Sequence, residues 1–600
     1  EHVLLKSIDN TKIVVSRGQW GTKALSFVGK RTVVATHMMY WTSQWQLNLS
    51  VHCPRGGTDN LNSQEWYARQ IAREMNSSLA DGIEFDVGRW KWGNSILNPM
   101  DANNDGIADY GYINGVNSFG IGGQLFLKEL RQLVGPSKII QVDSNDALNG
   151  VRGWKYLNGV QLESFPDANN FNRFSEAFQH LRLWSENAEF SPRVSYPFTK
   201  STTTVFGNSY LLNGSKTDFH FRVGFASACL VGMPHPFAYL DSSNFDPQNP
   251  GSTSTEVFGV FNWDEYHGGD LNNPQWLGKP NSVAIRDSST NNQATIIDQT
   301  DWQWKIKPQF IASGYQSGTT YSTNVKSIPE GILPDSLMVG VTLVPKNGYV
   351  VNVIAGQEYS IEFEARGDDY WSYMGQLFEK VPRMINIQGF LNVSENPLTV
   401  LVDNQWRKYK LSFVAPLTTT VIPYFGVSEQ IGNTEIKNIK IFNNGSERWS
   451  REFEKGLVLL NMTHTPWSIN VKGGCYRHLR GNQDSTINNG QYISNQIVVP
   501  AQDAVFLVND NLGSLTTKTQ NIPSVRLVEY KYSFSIANLK VGSDIYILDI
   551  SGKKIFQQQV DNNQMAFSKA ILKSAGMYVI YVSDYNGINW HLKLIKRVAD

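Results

Sequence analysis

The chain has 600 residues, which is too long for one small enzyme domain and predicts about four domains of ordinary size. Its 53 basic and 53 acidic side chains cancel to a formal net charge of zero, so the overall charge does not favour binding to nucleic acid or to an anionic membrane. The three cysteines are too few for a disulfide framework and lack zinc-site spacing, and no apolar run is long enough to predict a membrane span.

Residues 1–304 alternate short apolar stretches with helical periodicity, which is typical of repeated βα units around a parallel sheet. One predicted helix covers 64–80, with Ser63 as its candidate N-cap and an apolar face of Ala68, Ala72, Met75 and Leu79. Eight candidate strands fit this pattern: 12–16, 32–38, 82–87, 138–143, 159–163, 193–197, 236–240 and 257–262. Eight such strands predict a closed (β/α)8 TIM barrel, which is an α/β fold.

Three of these strands carry polar residues on one of their two faces: Glu84 and Asp86, Gln141 and Asp143, Gln161 and Glu163. Side chains alternate across a strand, so each pair shares a face opposite the apolar residues. A fully buried parallel strand is apolar on both faces. The polar faces therefore indicate a barrel lumen that opens into an active site at the carboxyl ends of the strands. The alternative is an antiparallel sheet whose carboxylates face water.

The segment DANNDGIAD (101–109) resembles the start of an EF-hand calcium loop. Asp101, Asn103, Asp105 and Asp109 occupy the ligand positions around a glycine, and we expect them to bind a structural Ca²⁺. Tyr112 stands where the loop's bidentate glutamate would be, so the complete loop is absent. The alternative is a polar turn without metal.

Several side chains near predicted strand ends are candidates for substrate binding, because aromatic rings stack on sugars and polar groups take the hydroxyls. These candidates are His37, Tyr40, Trp41, Arg89, Trp90, Trp263 and Asp264. For the rings the alternative is packing of loops against the barrel rim, and for His37 it is a satisfied core position. Arg89 is a candidate for an anionic sugar substituent, with simple surface exposure as its alternative.

From about residue 305 the helical period gives way to alternation of apolar and polar residues, as in 349–367 and 406–416. We therefore expect all-β domains after the barrel, with boundaries at 305–445, 446–522 and 525–600. None of the candidate carboxylates lies in the first of these, so we expect its segment 340–443 to be dispensable for the chemistry.

Two motifs resemble glycoside hydrolase barrels. DGIEFDVGRW (81–90) resembles the Asp-Gly-x-x-x-Asp strand of several retaining α-glycosidases, and LNGVQLESF (157–165) is similar to a strand of the endo-α-1,4-polygalactosaminidases and their relatives. The resemblance implies that Asp86 is the nucleophile and Glu163 the acid/base. We expect Glu84, Asp143 and Gln161, on the polar faces of the same strands, to bind or orient the sugar.

Three further stretches resemble known modules. Residues 340–443 resemble jelly-roll carbohydrate-binding modules, which also serve as inert spacers, and 448–471 resembles the small β-sandwich that closes many glycosidase barrels. Residues 525–600 resemble the C-terminal sorting domain of Bacteroidetes type IX secretion substrates. That last resemblance implies export by the type IX machinery and a secreted or cell-surface location.

The sequence therefore predicts a secreted, endo-acting, retaining glycoside hydrolase whose partner is a polysaccharide and which needs no organic cofactor. An α-linked anionic glycan, such as a sulfated algal fucan, fits the resemblance and the nearby basic and aromatic residues. The alternative function is a non-catalytic surface glycan-binding protein on a barrel scaffold.

Overall fold

The structure is a computed structural model, and the chain in it divides into two compact units, Glu1–Asp510 and Asn511–Asp600. It describes residues 4–9, 12–17, 38–40, 44–92, 102–103, 105, 109, 111–144, 150–163, 165, 173–201, 215–241, 255–258, 263–269, 273, 275–287, 295–297, 301–329, 338–373, 375–390, 397–471, 475–481, 484–509, 526–529, 533–537, 539, 542–549, 553–562, 564–572, 576–583 and 589–596. Each unit is described by itself below.

The first part of the larger unit mixes helices and strands, as predicted. Its strands are β1 (Leu4–Asp9), β2 (Lys12–Ser16), β3 (Met38–Tyr40), β4 (Gln44–Gln46), β5 (Gly82–Phe85), β6 (Tyr112–Ile113), β7 (Val116–Asn117), β8 (Ile139–Asp143), β9 (Gly159–Glu163), β10 (Tyr196–Ser201), β11 (Phe237–Asp241) and β12 (Thr255–Phe258). Its helices are α1 (Ser63–Ser77), α2 (Ser118–Val134), α3 (Phe174–Asn187), α4 (Ser215–Val231) and α5 (Asp264–His267).

Helix α1 confirms the predicted helix but corrects its ends. Asn62, not Ser63, is the N-cap, because its side chain accepts the N–H of Glu65 while the Glu65 side chain accepts the N–H of Asn62. This reciprocal capping box satisfies two main-chain donors at once. The helix ends before Leu79, whose side chain is fully exposed, whereas the other predicted apolar positions are buried.

Six of the predicted strands form one sheet in the order β12-β11-β10-β9-β8-β5. Neighbouring strands are parallel from β5 to β11, and β12 is antiparallel to β11. A parallel β12 would need a crossover connection, which is usually a helix. The sequence of residues 242–254 is rich in Ser, Asn and Pro and has no apolar helical period, so it does not predict such a helix.

This sheet corrects in part the prediction of eight barrel strands. Strand β2 pairs with β1 in an antiparallel hairpin instead of joining the parallel sheet, and most of the candidate strand at 32–38 lies outside the described residues. Within the described ranges a complete barrel is not evident. The larger class, an α/β region followed by β-sandwich, is confirmed.

A two-sheet β-sandwich follows the α/β region. Its strands, with β13 (Ile285–Arg286) preceding them, are β14 (Thr295–Ile297), β15 (Trp302–Ile306), β16 (Ile311–Ser317), β17 (Thr320–Ser327), β18 (Val341–Pro345), β19 (Val351–Val353), β20 (Glu358–Gly367), β21 (Tyr370–Tyr373), β22 (Gln376–Glu379), β23 (Arg383–Gln388), β24 (Leu398–Val402), β25 (Arg407–Val414), β26 (Thr419–Val421), β27 (Tyr424–Gly426) and β28 (Gly432–Phe442). One sheet has the order β16-β17-β28-β20-β25 and the other β15-β18-β27-β23-β24. Alternate residues such as Ile361 and Phe363 fill the space between the sheets.

The larger unit ends in β29 (Arg448–Phe453), β30 (Gly456–Asn461), β31 (Trp467–Asn470), β32 (Tyr476–His478), β33 (Gln496–Val499) and β34 (Asp503–Asn509), which form a sheet of order β13-β29-β30-β34-β32 and a β31-β33 pair. The smaller unit contains β35 (Arg526–Glu529), β36 (Ser533–Ala537), β37 (Asp544–Asp549), β38 (Lys554–Gln559), β39 (Gln564–Ser568), β40 (Gly576–Ser583) and β41 (Asn589–Lys596). Its two sheets, β35-β36-β39 and β38-β37-β40-β41, enclose a separate apolar core.

Within the larger unit the α/β region and the sandwich share one hydrophobic core. Buried residues of α3, such as Phe178, belong to the same cluster as Phe363 and Leu411 of the sandwich. Helix α3 also carries Glu176, whose carboxylate accepts the main-chain N–H of Thr399 at 3.0 Å. Removing the sandwich would therefore expose apolar surface of the α/β region and is expected to destabilise the larger unit, whereas the dispensability of segment 340–443 for the chemistry stays a prediction.

Candidate active site

Four carboxylates lie on three neighbouring parallel strands and their immediate ends. They are Glu84 and Asp86 on β5 and its end, Asp143 on β8 and Glu163 on β9, and we call them the carboxylate cluster. Glu84 is the register partner of Gln141, and Asp143 is the register partner of Gln161. Side chains two residues apart share a face of the strand, so the cluster projects from one face of the sheet, as the sequence predicts.

Tyr196 of β10 connects two side chains of this polar face, Glu84 of β5 and Gln161 of β9. Its hydroxyl lies 3.0 Å from a carboxylate oxygen of Glu84 and 2.7 Å from Oε1 of Gln161. Strand β10 is three strands away from β5, which is about 14 Å in a flat sheet at about 4.8 Å per strand. A direct hydrogen bond between Tyr196 and Glu84 therefore requires a strongly curved sheet whose polar face is concave.

The cluster changes the acidity of its members. Burial, followed by the charges of Glu163, Asp86 and Glu84, raises the pKa of Asp143 to about 7. Desolvation and the charge of Asp86 raise the pKa of Glu84, although the hydrogen bond from Tyr196 opposes this. These mutual effects show that the four carboxylates lie close enough to interact electrostatically.

The chain leaves β5 through a constrained turn directly after Asp86. Val87 has φ of 55°, a left-handed conformation that is unusual for a β-branched residue. The N–H of Gly88 donates to the carbonyl of Asp143 at 2.8 Å, which ties this turn to the end of β8. A Cβ at Gly88 would lie 1.7 Å from a side-chain carbon of Val142, so only glycine fits here. Strained backbone of this kind is often found at functional sites.

Two aromatic candidates lie in the interior and not in an open site. Trp90 is 0% exposed and packs edge-on against Trp371 of the sandwich at 5.4 Å. Trp263 is 8% exposed and stacks on Phe221 at 4.6 Å. The prediction that these two rings bind sugar is wrong for this structure, because protein side chains already cover them.

Asp264 is also buried, at the first turn of α5, with the backbone of Gly481 packed against its carboxylate. Burial there does not fit the prediction of a carboxylate open to substrate. Arg89 is half-buried, and its main chain pairs with Gly150. His37 and Trp41 lie outside the described residues, as does the side chain of Tyr40 in β3.

Sequence reasoning did not find Tyr196. The available signal was the strand pattern at 193–197, which places Tyr196 beside Gln161 once the parallel register is known. Tyrosine is intermediate in its usual burial, so its place in a strand does not by itself indicate a site residue. Only the curvature of the sheet brings its hydroxyl to Glu84.

The predicted calcium loop is described only in part, because Asp101 lies outside the described residues. Both carboxylate oxygens of Asp109 accept main-chain N–H groups, from Ala102 at 3.0 Å and Gly111 at 2.8 Å. The amide of Asn103 donates to Asp105 at 3.0 Å. Among the described residues, no group of three or more acidic, His or Cys side chains is arranged to hold a metal.

Calcium binding at 101–109 stays a proposal with a direct test. Adding Ca²⁺ to the chelator-treated protein is expected to raise its melting temperature, because a ligand that binds only the folded chain stabilises it. Asp105→Ala should abolish that increase in differential scanning calorimetry. Equal melting temperatures of the wild type with calcium and with chelator would contradict the proposal.

A second candidate site is a cleft of about 310 Å³ on the outer face of the sheet β16-β17-β28-β20-β25. Its lining is polar and includes Tyr315, Arg366, Asp368, Asn404, Asn433 and Glu435. Tyr315 is 60% exposed, and Trp406 nearby has the guanidinium of Arg366 4.9 Å from its ring centroid. An exposed ring beside amides and charged groups is the composition that suits a sugar.

No protein-family model matches the chain, and no curated protein matches it. Its structural neighbours include carbohydrate-binding modules and domains associated with glycoside hydrolases. The N-terminal cellulose-binding domain of β-1,4-glucanase C from Cellulomonas fimi is 11% identical, with 24% of this chain and 90% of that chain aligned and a TM-score of 0.17.

Two further neighbours are similar in extent. A CBM4 domain is 14% identical over 26% of this chain and 99% of its own, with a TM-score of 0.18. The CBM22-1 xylan-binding domain of Paenibacillus barcinonensis is 7% identical over 25% of this chain and 94% of its own, with a TM-score of 0.16. These TM-scores are too low to show that the chain shares the ligand of any of these proteins. Among the described residues no helix is long and apolar enough to cross a membrane.

Proposed function

We propose that this chain is a glycoside hydrolase that acts on a polysaccharide. The observation that carries the proposal is the carboxylate cluster on the concave face at the ends of β5, β8 and β9. Hydrolysis of a glycosidic bond needs two carboxyl groups, one to attack or stabilise the anomeric carbon and one to protonate the leaving oxygen. The cluster supplies both, and burial and neighbouring charges raise the pKa of two of its other members, Asp143 and Glu84.

In this proposal Asp86 is the nucleophile and Glu163 is the general acid/base, the roles that the resemblance to retaining α-glycosidases implies. Asp86 is exposed at the end of its strand and is held by the constrained turn at Val87 and Gly88. Glu163 is half-buried two strands away, on the same face. Glu84, Asp143, Gln161 and Tyr196 would then bind and orient the sugar.

The curved sheet supports the proposal that the α/β region is a TIM-barrel relative, since inward side chains of separate strands meet on its concave face. Secretion through the type IX machinery remains a proposal that rests on the resemblance of residues 525–600. An extracellular location would suit a protein whose substrate is a polysaccharide.

The sandwich cleft has a separate proposed role, attachment to the glycan. Tyr315→Ala is expected to weaken binding to insoluble glycan about two- to thirteenfold, because a stacked ring contributes about 0.5–1.5 kcal/mol. Turnover of short oligosaccharides should not change, since Tyr315 is not part of the carboxylate cluster. Affinity electrophoresis in glycan-containing gels measures the binding.

Tyr492→Ala is the matched control for that experiment, because Tyr492 is similarly exposed, at 65%, and is not among the residues that line the cleft. If Tyr315→Ala and Tyr492→Ala bind the glycan equally well, the cleft has no part in attachment.

The hydrolase proposal is tested by incubating the full chain with a panel of polysaccharides, including sulfated fucans and α-linked hexosamine polymers. Release of new reducing ends, with oligosaccharide products identified by mass, would support hydrolysis and name the sugar. Binding of a glycan without any product would instead favour the alternative, a non-catalytic glycan-binding protein.

A further inference from the structure

The turn that follows Asp86 is joined by its main chain to a second segment of the α/β region. The N–H of Val151 donates to the carbonyl of Gly88 at 3.2 Å. We call residues 88–92 and 150–152 the paired segments. Because a main-chain hydrogen bond joins them, a shift of either segment moves the turn that carries Asp86.

Each of the paired segments carries a buried cation, and both cations face the same carboxylate of the sandwich. The guanidinium of Arg152 donates two hydrogen bonds to Glu429, at 2.9 and 3.1 Å. The ammonium group of Lys91 lies 3.8 Å from the same carboxylate. All three side chains are 5% exposed or less. One negative charge of the sandwich therefore balances charges on both of the paired segments.

Glu429 is itself held in place by the sandwich. The N–H of Val427 donates to the carbonyl of Val341 at 3.1 Å, and the N–H of Val341 donates to Oγ of Ser428 at 2.8 Å. These two bonds fix the main chain directly before Glu429 to β18. The carboxylate is therefore a fixed anchor for the paired segments.

We infer that Glu429 of the sandwich is a positioning residue for Asp86, because its carboxylate fixes the paired segments and so holds the proposed nucleophile where it can attack. The inference rests on the proposed function, since Asp86 is taken to attack a sugar. Buried cations that lose their counter-charge are strongly destabilised, and their movement towards water would pull the turn out of place. A displacement of about 1 Å at a reacting group can lower the rate about 10²-fold.

On this inference the sandwich takes part in building the active site. The shared hydrophobic core links the sandwich to the α/β region in general, whereas Lys91 and Arg152 link it to the turn at Asp86. Glu429 lies in segment 340–443. The inference and the predicted dispensability of that segment for the chemistry therefore exclude each other.

The test compares Glu429→Gln with Glu447→Gln in the full chain, at a temperature where circular dichroism shows both variants folded. Each change keeps the shape of the side chain and removes its charge. Glu447 is the matched control, because it is also buried and also accepts several hydrogen bonds. Its donors are Ser175 of α3, Arg286 of β13 and Trp449 of β29, which are outside the paired segments.

Turnover is measured on the glycan that the panel shows to be cleaved. Glu429→Gln should lower kcat about ten- to hundredfold with little change in KM, because a misplaced nucleophile slows the chemical step and not the binding of substrate. Glu447→Gln should keep kcat within about twofold of the wild type, since its effect is independent of the turn.

Hydrogen–deuterium exchange follows the turn without any substrate. The amide of Gly88 donates to Asp143 and the amide of Val151 donates to Gly88, so both report whether the turn keeps its place. Their exchange should be about tenfold or more faster in Glu429→Gln than in Glu447→Gln. Amides of β20, in the core of the sandwich, correct for any difference in overall stability.

Lys91→Met is the second variant, which serves if Glu429→Gln does not fold. It removes one of the two buried positive charges and leaves Arg152 paired with Glu429, so the fold should be kept. The segment that follows Asp86 then loses its own tie to the sandwich. We expect kcat to fall about fivefold or more and exchange at Gly88 to become faster.

The inference is overturned if folded Glu429→Gln matches Glu447→Gln in kcat or in exchange at the turn. If Glu429→Gln does not fold, it is overturned by a Lys91→Met protein that matches the wild type in kcat or in exchange. The proposed function fails separately, because then the wild type itself releases no reducing ends from any glycan. Exchange at Gly88 and Val151 would still show whether Glu429 holds the turn.

Discussion

Glu163→Gln and Asp86→Asn proteins are expected to fold normally and to lose almost all turnover. Removing a general acid/base typically lowers the rate about 10²- to 10⁴-fold. Removing a nucleophile has a larger effect, a loss of about 10⁴-fold or more. Neither change leaves a buried charge unpaired, since Asp86 is exposed and Glu163 is half-buried, and both new side chains are isosteric. Initial rates of reducing-end release, with circular dichroism of each variant, measure both expectations.

Azide separates the two roles. A small external nucleophile can replace water in the second step when the acid/base is missing, so Glu163→Ala should recover turnover with azide and give a glycosyl azide of retained configuration. Asp86→Asn with full activity would transfer the nucleophile's role to another carboxylate, and Asp143 would be the first to examine.

Glu429→Ala is expected to destabilise the larger unit by about 3–5 kcal/mol, the range for breaking a buried ion pair. Arg152 and Glu429 are 0% and 1% exposed, and they form two hydrogen bonds, at 2.9 and 3.1 Å. Arg152 belongs to the α/β region and Glu429 to the sandwich, and the Arg152 guanidinium also lies 4.7 Å from the ring of Trp90. Removing the carboxylate would leave a buried guanidinium without its strongest partner.

Urea unfolding followed by tryptophan fluorescence measures this loss. Glu379→Ala is a matched control, because Glu379 pairs with Lys155 across the same boundary but is 53% exposed. An exposed pair contributes little to stability, because water screens its charges. Equal midpoints for Glu429→Ala and Glu379→Ala would mean that the buried pair does not hold the sandwich to the α/β region.

Local sequence patterns predicted the elements of this chain well where one local rule decides them. The buried positions Ala68, Ala72 and Met75 follow the helical period, and alternation placed Glu84 and Asp86 on one face of β5. The cap moved from Ser63 to Asn62 because both residue types cap helices and only the geometry with Glu65 distinguishes them.

Contacts between distant parts of the chain explain the misplaced side chains. Trp90 follows β5 and matched the expectation of a sugar-stacking ring, but Trp371, far along the chain, covers it. The antiparallel pairing of β12 with β11 likewise departs from the predicted parallel sheet. Tyr196 joins the site only through sheet curvature, which no local pattern records.

Trapping the covalent intermediate is the most direct test of the proposed attack of Asp86 on the sugar. The Glu163→Gln variant is incubated with the glycosyl fluoride of the sugar that the panel identifies. Fluoride is a good leaving group, so the intermediate forms without the general acid. Hydrolysis of the intermediate is slow, because the variant lacks the general base. Mass spectrometry of the digested protein should then find the sugar on the peptide that contains Asp86. Turnover with no adduct on any peptide, or an adduct on a different carboxylate, would contradict the claim.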